Sequence, residues 1–119
     1  MESLVFERIL LHLGARPQRK GYRQAVAMLQ LFYEHPEISH VSEAYTMVGK
    51  KLDVSPQQLD RNLRELIREM WDKGNRESFG RLMPWCVGYG APSNKEFLCT
   101  VATLMRTGDI SQYFDGFSA

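Results

Sequence analysis

Apolar positions along the chain recur at spacings of three and four, and runs that alternate apolar and polar residues are hard to find. This spacing matches the period of an α-helix and not that of a strand, so the pattern predicts an all-α fold. Five or six helices are predicted, depending on whether a short one near residue 80 is counted. Their approximate bounds are residues 2–13, 21–35, 41–52, 56–73, 76–84 and 94–106.

The longer helices each present one apolar face that is expected to pack into a single core. Gly14 is positioned to end the first helix, and Gly74 with Asn75 is expected to supply a left-handed stop to the fourth. The last helix begins at the sequence SNKE, a Ser-x-x-Glu capping box. The apolar residues of the first helix include Leu4, Ile9, Leu10 and Leu13. The second helix is expected to bury Val26, Leu29, Phe32 and Tyr33, and the last helix to turn Phe97, Leu98, Val101 and Leu104 inward.

The stretch DVSPQQLDRNLREL, residues 53–66, predicts a tight corner between the third and fourth helices. Ser55 is expected to cap the fourth helix, Pro56 suits its first position, and Gln58 completes a capping box. Apolar residues on both sides of the corner are expected to pack the two helices together across three or four residues. These are Val48, Leu52, Val54, Leu59, Leu63, Leu66 and Met70. Two helices joined in this way have the layout of a helix-turn-helix.

The face of the fourth helix opposite its leucines carries polar and basic side chains. At 100° per residue, Gln57, Arg61, Arg64 and Arg68 lie on the far side from Leu59, and Gln58 and Glu65 flank them. Arginine binds a guanine edge through two donors and glutamine pairs with adenine, so these six residues form a candidate reading face for the major groove. The alternative is that Arg61 with Glu65, or Arg68 with Asp72, form solvent-exposed ion pairs four residues apart.

The net charge of +1 is too small to indicate a nucleic-acid partner by itself, but the charge is unevenly distributed. Residues 16–81 hold 12 Lys or Arg against 9 acids, and residues 82–119 hold 2 against 3. The segment ARPQRKGYR, residues 15–23, has four basic residues and no acid. Basic side chains near the predicted corner would hold backbone phosphates. The candidate phosphate contacts are Lys20, Tyr22, Arg23, Lys50, Lys51 and Ser55.

Several other classes of protein are not indicated. A chain of 119 residues is expected to form one domain, here residues 1–107 followed by a tail, 108–119, that contains Tyr113, Phe114 and Phe117. No apolar run is long enough to span a membrane, and the acidic start is unlike a secretory signal, so a cytoplasmic location, at the nucleoid, is expected.

Neither a metal site nor an enzyme active site is expected. Cys86 and Cys99 lack the spacing of a zinc site or a disulfide framework and are expected to be buried thiols. His12, His35 and His40 do not share a helix face with carboxylates at metal-ligand spacing. No compact catalytic motif is present, and the glycines of GYG, residues 88–90, are typical of turns. No cofactor is therefore expected.

Residues 8–106 resemble the C-terminal DNA-binding effector domain of the stage-zero sporulation response regulator. The resemblance depends on the order and spacing of several short motifs, since none is specific alone. They are LG at 13–14, KGY at 20–22, KKL at 50–52, LDRNLR at 59–64, WDKGN at 71–75, PSNKEFL at 92–98 and VA at 101–102. The resemblance implies a six-helix domain that reads promoter DNA with its fourth helix and binds cooperatively, as a dimer or on tandem sites. It assigns base or backbone contacts to Arg61 and Arg64. RNA polymerase is a further candidate partner.

The sequence departs from the family pattern at several positions. Gln58 stands where the pattern has a basic residue and Glu65 where it has histidine, while the loop GYGAP, residues 88–92, is shorter and lacks the family's lysines. The family's receiver domain has no counterpart in these 119 residues, which are either an excised effector domain or a stand-alone relative. Two functions stay open: a sequence-specific transcriptional regulator, and a helical protein-interaction module whose DNA face is degraded and which docks on a partner regulator or RNA polymerase.

Overall fold

The computed structural model describes residues 2–108 and residue 110, and no strand occurs in this part of the chain. The helices are α1 (Glu2–Leu13), α2 (Lys20–Glu34), α3 (Val41–Leu52), α4 (Pro56–Lys73), α5 (Arg76–Leu82) and α6 (Asn94–Thr107), with one turn of 3-10 helix at Pro84–Cys86. The predicted all-α class is confirmed, and each predicted bound agrees within two residues. The aromatic residues of the predicted tail, 108–119, lie outside the described residues, so the division into domain and tail stays a prediction.

Helix α2 lies at the centre of the domain and packs against α1, α3, α4 and α6. Its inward face buries Ala25, Met28, Leu29 and Phe32, and the other helices contribute fully buried side chains such as Phe97 to the same core. Burying one large apolar side chain stabilises a fold by about 1.5 to 3 kcal/mol, so this shared core holds α3 and α4 in fixed positions. Val26, Tyr33 and Leu104 are only partly buried but pack against it.

Two of the apolar residues named from the sequence are exposed, and the predicted packing of Leu52 across the corner is wrong. Leu4 has 56% of its surface exposed, because Phe6, Ile9 and Leu13 form the inward stripe of α1 and Leu4 lies on its outward face. Leu52 is 36% exposed, since it is the last residue of α3 and the chain turns away directly after it.

The ends of α1 and α4 meet at two glycines. Gly14 has φ +102° and ends α1, as predicted. Gly74, however, has φ −96° and ψ −150°, so the predicted left-handed stop of α4 is wrong. A Cβ atom on Gly74 would lie 2.3 Å from the carbonyl oxygen of Leu13, so glycine is needed there for close packing of the two chain segments. The next amide, that of Asn75, donates to the same Leu13 oxygen at 3.0 Å.

Candidate nucleic-acid interface

The corner between α3 and α4 consists of residues 53–55, as the sequence predicts. Asp53 adopts the left-handed conformation, with φ 57° and ψ 50°, and ends α3. The amide of Val54 then donates to the carbonyl oxygen of Gly49 at 2.9 Å. Aspartate tolerates this conformation better than most residues, which is the signal by which the exact position of the turn could have been predicted.

The first turn of α4 is capped by Ser55, whose side-chain oxygen accepts from the amide of Gln58 at 3.1 Å. Pro56 occupies the first helical position. The predicted capping box is wrong in its second half, because the Gln58 side chain does not return to the Ser55 amide. It donates instead to Oδ1 of Asn62 at 2.9 Å, and Asn62 in turn donates to Gln24 of α2 at 3.1 Å. This chain of amides ties the start of α4 to α2.

The outer face of α4 carries the side chains that the 100° rotation predicts there. Gln57, Arg61, Arg64, Glu65 and Arg68 are exposed, and Gln58 is half-buried. The opposite face of the helix is fully packed, with Leu59, Leu63, Leu66 and Met70 buried. The core therefore determines which side of α4 is buried, so that one face with three arginines points to solvent.

The ion pairs along α4 differ from those considered in the alternative interpretation. Asp60 pairs with Arg64, and Asp72 pairs with Arg76 at 3.9 Å. Between residues 2 and 108, no carboxylate lies within 4.0 Å of Arg61 or Arg68. The Arg61–Glu65 and Arg68–Asp72 pairs are therefore not formed. Among the described residues, two of the three arginines on this face therefore have no carboxylate partner within 4.0 Å.

A groove of about 690 Å³ separates the outer face of α4 from the basic segment, residues 15–23, which leads into the first turn of α2. Lys20 lines one wall, and Arg61 and Glu65 line the other. The two walls meet where α2 crosses α4. The backbones are very close at this crossing, since a Cβ atom on Gly21 would lie only 2.5 Å from the carbonyl oxygen of Asn62. Near this crossing Arg19 pairs with Glu69 of α4 at 2.8 Å.

Most of the candidate phosphate contacts are available to a ligand. Lys20, Arg23, Lys50, Lys51 and Ser55 are exposed. Lys20 and Ser55 also line one hollow between the start of α2 and the corner. The Ser55 oxygen accepts the capping bond, so its hydroxyl hydrogen remains available to a phosphate oxygen.

Tyr22 is the exception among these candidates. Only 4% of its surface is exposed, and its hydroxyl donates to Oε1 of Glu7 at 3.2 Å. Burial, and then the neighbouring Glu7, raises the pKa of Tyr22 to about 12. The aromatic ring packs in the core, so Tyr22 is less accessible to a phosphate than the other candidates, and its phosphate contact stays a prediction.

A polar cluster beside the outer face was not predicted. Oδ1 of Asp60 accepts from the Tyr45 hydroxyl of α3 at 2.9 Å and from Nδ2 of Asn94 of α6 at 3.1 Å. Nδ2 of Asn94 also lies 2.8 Å from the Tyr45 oxygen and 3.1 Å from the Asp60 carbonyl oxygen. The spacing of Asp60 four residues before Arg64 could have predicted the ion pair between them, because it matches a helical ion pair, but not the contacts with Tyr45 and Asn94.

Other kinds of site are not found in the described part of the chain. No group of three or more His, Cys, Asp or Glu residues there is arranged to hold a metal ion. Both cysteines are free; Cys86 is buried, and burial raises the pKa of its thiol, while Cys99 is half-buried. Among the described residues, no helix has both the length and the apolar character that a membrane span requires.

Comparison with protein families gives one match that covers most of the chain. The model of the family described as "Sporulation initiation factor Spo0A C terminal" matches residues 6–105. The match includes the corner, the whole of α4 and the basic segment before α2. The chain therefore belongs to this family, and the resemblance predicted from the sequence is confirmed.

Proposed function

Starting from membership in the Spo0A C-terminal family, we propose that this chain is a sequence-specific, DNA-binding transcription-regulatory domain that inserts α4 into the major groove. The family match supports a DNA-binding effector domain of a sporulation regulator. The observation that carries the finer proposal is the outer face of α4, where Arg61 and Arg68 are exposed and lack an acidic partner within residues 2–108. A helix that offers unpaired guanidinium groups on one side suits a polyanionic groove.

The outer face contains the side-chain types that read base edges. Arg61 and Arg64 would bind guanine through two donors each, and Gln57 would pair with adenine. Glu65 is exposed and does not neutralise Arg61, so its carboxylate is free to accept from the amine of cytosine. Arg61 and Glu65 lie four residues apart on one face, and a guanine and a cytosine close together in the site would satisfy both.

The exposed basic residues beside α4 would hold the backbone. Lys20 and Arg23 lie in the first turn of α2, Lys50 and Lys51 in the last turn of α3, and Ser55 caps α4. Each neutralised phosphate contributes about 0.9 to the slope of log affinity against log salt concentration. These contacts would fix the register of α4 in the groove without reading sequence.

We propose four further features of the domain. The domain would occupy tandem sites in promoter DNA, or bind as a dimer, and would contact RNA polymerase from its bound position. It would act at the nucleoid and perform no catalysis. We propose that the third and fourth helices form the helix-turn-helix, since α3 packs on α4 across the three-residue corner.

The test is DNA binding as a function of salt. Duplexes selected by the protein from a random pool would be titrated at several salt concentrations with the native chain, Arg61→Ala and Arg68→Ala. We expect steep salt dependence for the native chain and a loss of about 1 to 3 kcal/mol for Arg61→Ala on the selected duplex. Lys50→Ala is expected to weaken all duplexes similarly and to reduce the salt slope by about 1.

Arg81→Ala is the matched control, because Arg81 is an exposed arginine on α5 that pairs with Glu77 away from the outer face of α4. It loses the same charge and is expected to bind nearly as the native chain does. Equal losses in Arg61→Ala and Arg81→Ala would mean that net charge alone drives binding. A folded chain that binds no duplex at low salt would contradict the proposal.

Protein docking is the second candidate function, and one specific observation favours it. In the loop after α5, Trp85, Val87 and Tyr89 have 49%, 64% and 92% of their surfaces exposed. Large apolar side chains exposed together are typical of an interaction surface. This candidate would replace the first if salt-dependent DNA binding is absent. In that case Trp85→Ala and Tyr89→Ala should weaken capture of a partner regulator or RNA polymerase, while Arg61→Ala should not.

A further inference from the structure

We propose that Asp60 is a positioning residue that orients Arg64 for base reading and is itself held in place by Tyr45 and Asn94. The inference rests on the proposed function, since it concerns how one arginine of the outer face is presented to DNA. It starts from a difference among the three arginines of α4. Arg64 has a carboxylate partner, Asp60, one turn earlier on the helix, whereas Arg61 and Arg68 have none within residues 2–108.

The two oxygens of the Asp60 carboxylate bind different partners. Oδ2 accepts from Nη2 of Arg64 at the exposed side of the helix. Oδ1 faces inward and accepts from Tyr45 at 2.9 Å and from Asn94 at 3.1 Å. The carboxylate is therefore anchored by α3 and α6 before it contacts the arginine.

The anchor is rigid because its members are buried. Tyr45 is 6% exposed and Asn94 is 8% exposed. The Asn94 amide directs its nitrogen at Asp60 and the Tyr45 oxygen, while its own Oδ1 is buried and has no hydrogen-bond partner in the described residues. A buried acceptor without a hydrogen bond is unfavourable. The Asn94 amide nevertheless keeps this orientation, in which its nitrogen donates to Asp60 and its own oxygen has no partner in the described residues.

Orienting an arginine before binding reduces the entropy lost when the complex forms. The contact with Asp60 uses Nη2, and a guanidinium group has five N–H donors, so the remaining edge can still bind a base through two bonds. An exposed ion pair on a helix contributes little to stability. Its effect is therefore expected in base discrimination and not in folding.

The test compares Asp60→Asn with the native chain. Asparagine keeps an oxygen that can accept from Tyr45, but its amide replaces the carboxylate oxygen that binds Arg64. The probe is the tightest duplex that the native chain selects from a random pool, together with its single base-pair variants. Arg64→Ala identifies the base pair that Arg64 reads. At that base pair we expect Asp60→Asn to lose about tenfold in discrimination.

Asp72→Asn is the matched control. It makes the same charge change on the same helix, at an exposed carboxylate that pairs with Arg76 instead of Arg64. Both variants should gain similar non-specific affinity, but only Asp60→Asn should lose discrimination. Side-chain NMR of the free protein gives a readout that needs no DNA. The Nε–H group of Arg64 should become more mobile in Asp60→Asn, and its mobility should stay unchanged in Asp72→Asn.

Tyr45→Phe keeps the inference testable if Asp60→Asn does not fold. It removes one hydroxyl without changing charge, and we expect a loss of about two- to threefold in discrimination at the same base pair. Native discrimination in whichever of these two variants folds, or an unchanged Arg64 signal, would overturn the inference. If the native chain itself binds no duplex, the proposed function fails, and the NMR comparison still decides whether Asp60 orders Arg64.

Discussion

Replacing Gly21 with alanine should separate α2 from α4 at the point where the groove beside the outer face is formed. Gly21 is buried in the first turn of α2, and an added Cβ atom would lie 2.5 Å from the backbone oxygen of Asn62 and 3.2 Å from Cβ of Leu66. Ordinary van der Waals contact begins at 3.4 Å, so α2 must move by about 0.9 Å. A helix backbone cannot rotate out of the way as a side chain can.

Two opposing effects set the size of the change. Inserting a methyl group where the surrounding atoms cannot move costs about 1 to 3 kcal/mol of stability. Alanine is favoured over glycine by about 1 kcal/mol in a helix interior, and by less in the first turn. We therefore expect Gly21→Ala to lower the free energy of unfolding by about 1 to 2 kcal/mol. The shift should also lengthen the contact between Gln24 and Asn62, now 3.1 Å, and weaken DNA binding.

Gly80→Ala is the matched control, since Gly80 is also helical but its added Cβ would meet only Cγ2 of Val87, at an ordinary 3.6 Å. It is expected to leave stability unchanged or raise it by up to about 1 kcal/mol. Urea unfolding of both variants measures the difference. If Gly21→Ala is as stable as Gly80→Ala and binds DNA as the native chain does, the close crossing of α2 and α4 does not exist in solution.

Three further predictions follow from single contacts. Ser55→Ala and Ser93→Ala should each lower the free energy of unfolding, measured in urea, by about 1 kcal/mol, because each serine oxygen accepts one amide bond in the first turn of its helix. Burial raises the pKa of Tyr45 to about 12, so the stability that its neutral hydroxyl contributes is complete below pH 10 and is lost as the pH rises towards 12, by up to about 1.4 kcal/mol per pH unit. In Tyr45→Phe the free energy of unfolding should therefore fall less steeply with pH across this range. An unchanged pH dependence would contradict the assignment. Glu65→Gln removes an acid from the outer face, so binding to mixed-sequence duplexes should tighten at low salt while any preference for cytosine is reduced, as competition titrations would measure.

The helices and the outer face were predictable because both depend on local regularity. The period of the leucines fixes which side of α4 is buried, and this leaves Arg61, Arg64 and Arg68 outside whatever the rest of the fold does. Ser55 likewise acts within one turn of its own position. Leu52 shows the limit of such reasoning: its phase along α3 is right for the core, but the chain turns at Asp53 and leaves it exposed.

The contacts between distant segments could not be predicted from periodicity. The sequence at Gly74 suggests a left-handed stop, yet glycine is required there by Leu13, 61 residues earlier in the sequence. Gln58 reads as half of a capping box, yet Asn62 is a better partner because Gln24 already holds that amide in place. In both cases the local sequence pattern predicts a role that the residue type often has. A contact with a residue from another helix gives it a different role in this fold.

If α4 reads bases as proposed, its rotation about the helix axis would matter more to base recognition than to folding. An apolar stripe tolerates small rotations, since its contacts are many and individually weak. A bidentate contact to a base edge does not, because both hydrogen bonds need correct distance and direction. On α4 the directional contacts lie at the borders of the apolar stripe, with Asn62 bound to α2 and Asp60 bound to α3 and α6. Polar contacts at both borders restrict rotation in either direction. These two residues, neither of them on the outer face, would therefore set the angle at which the arginines meet DNA in the proposed complex.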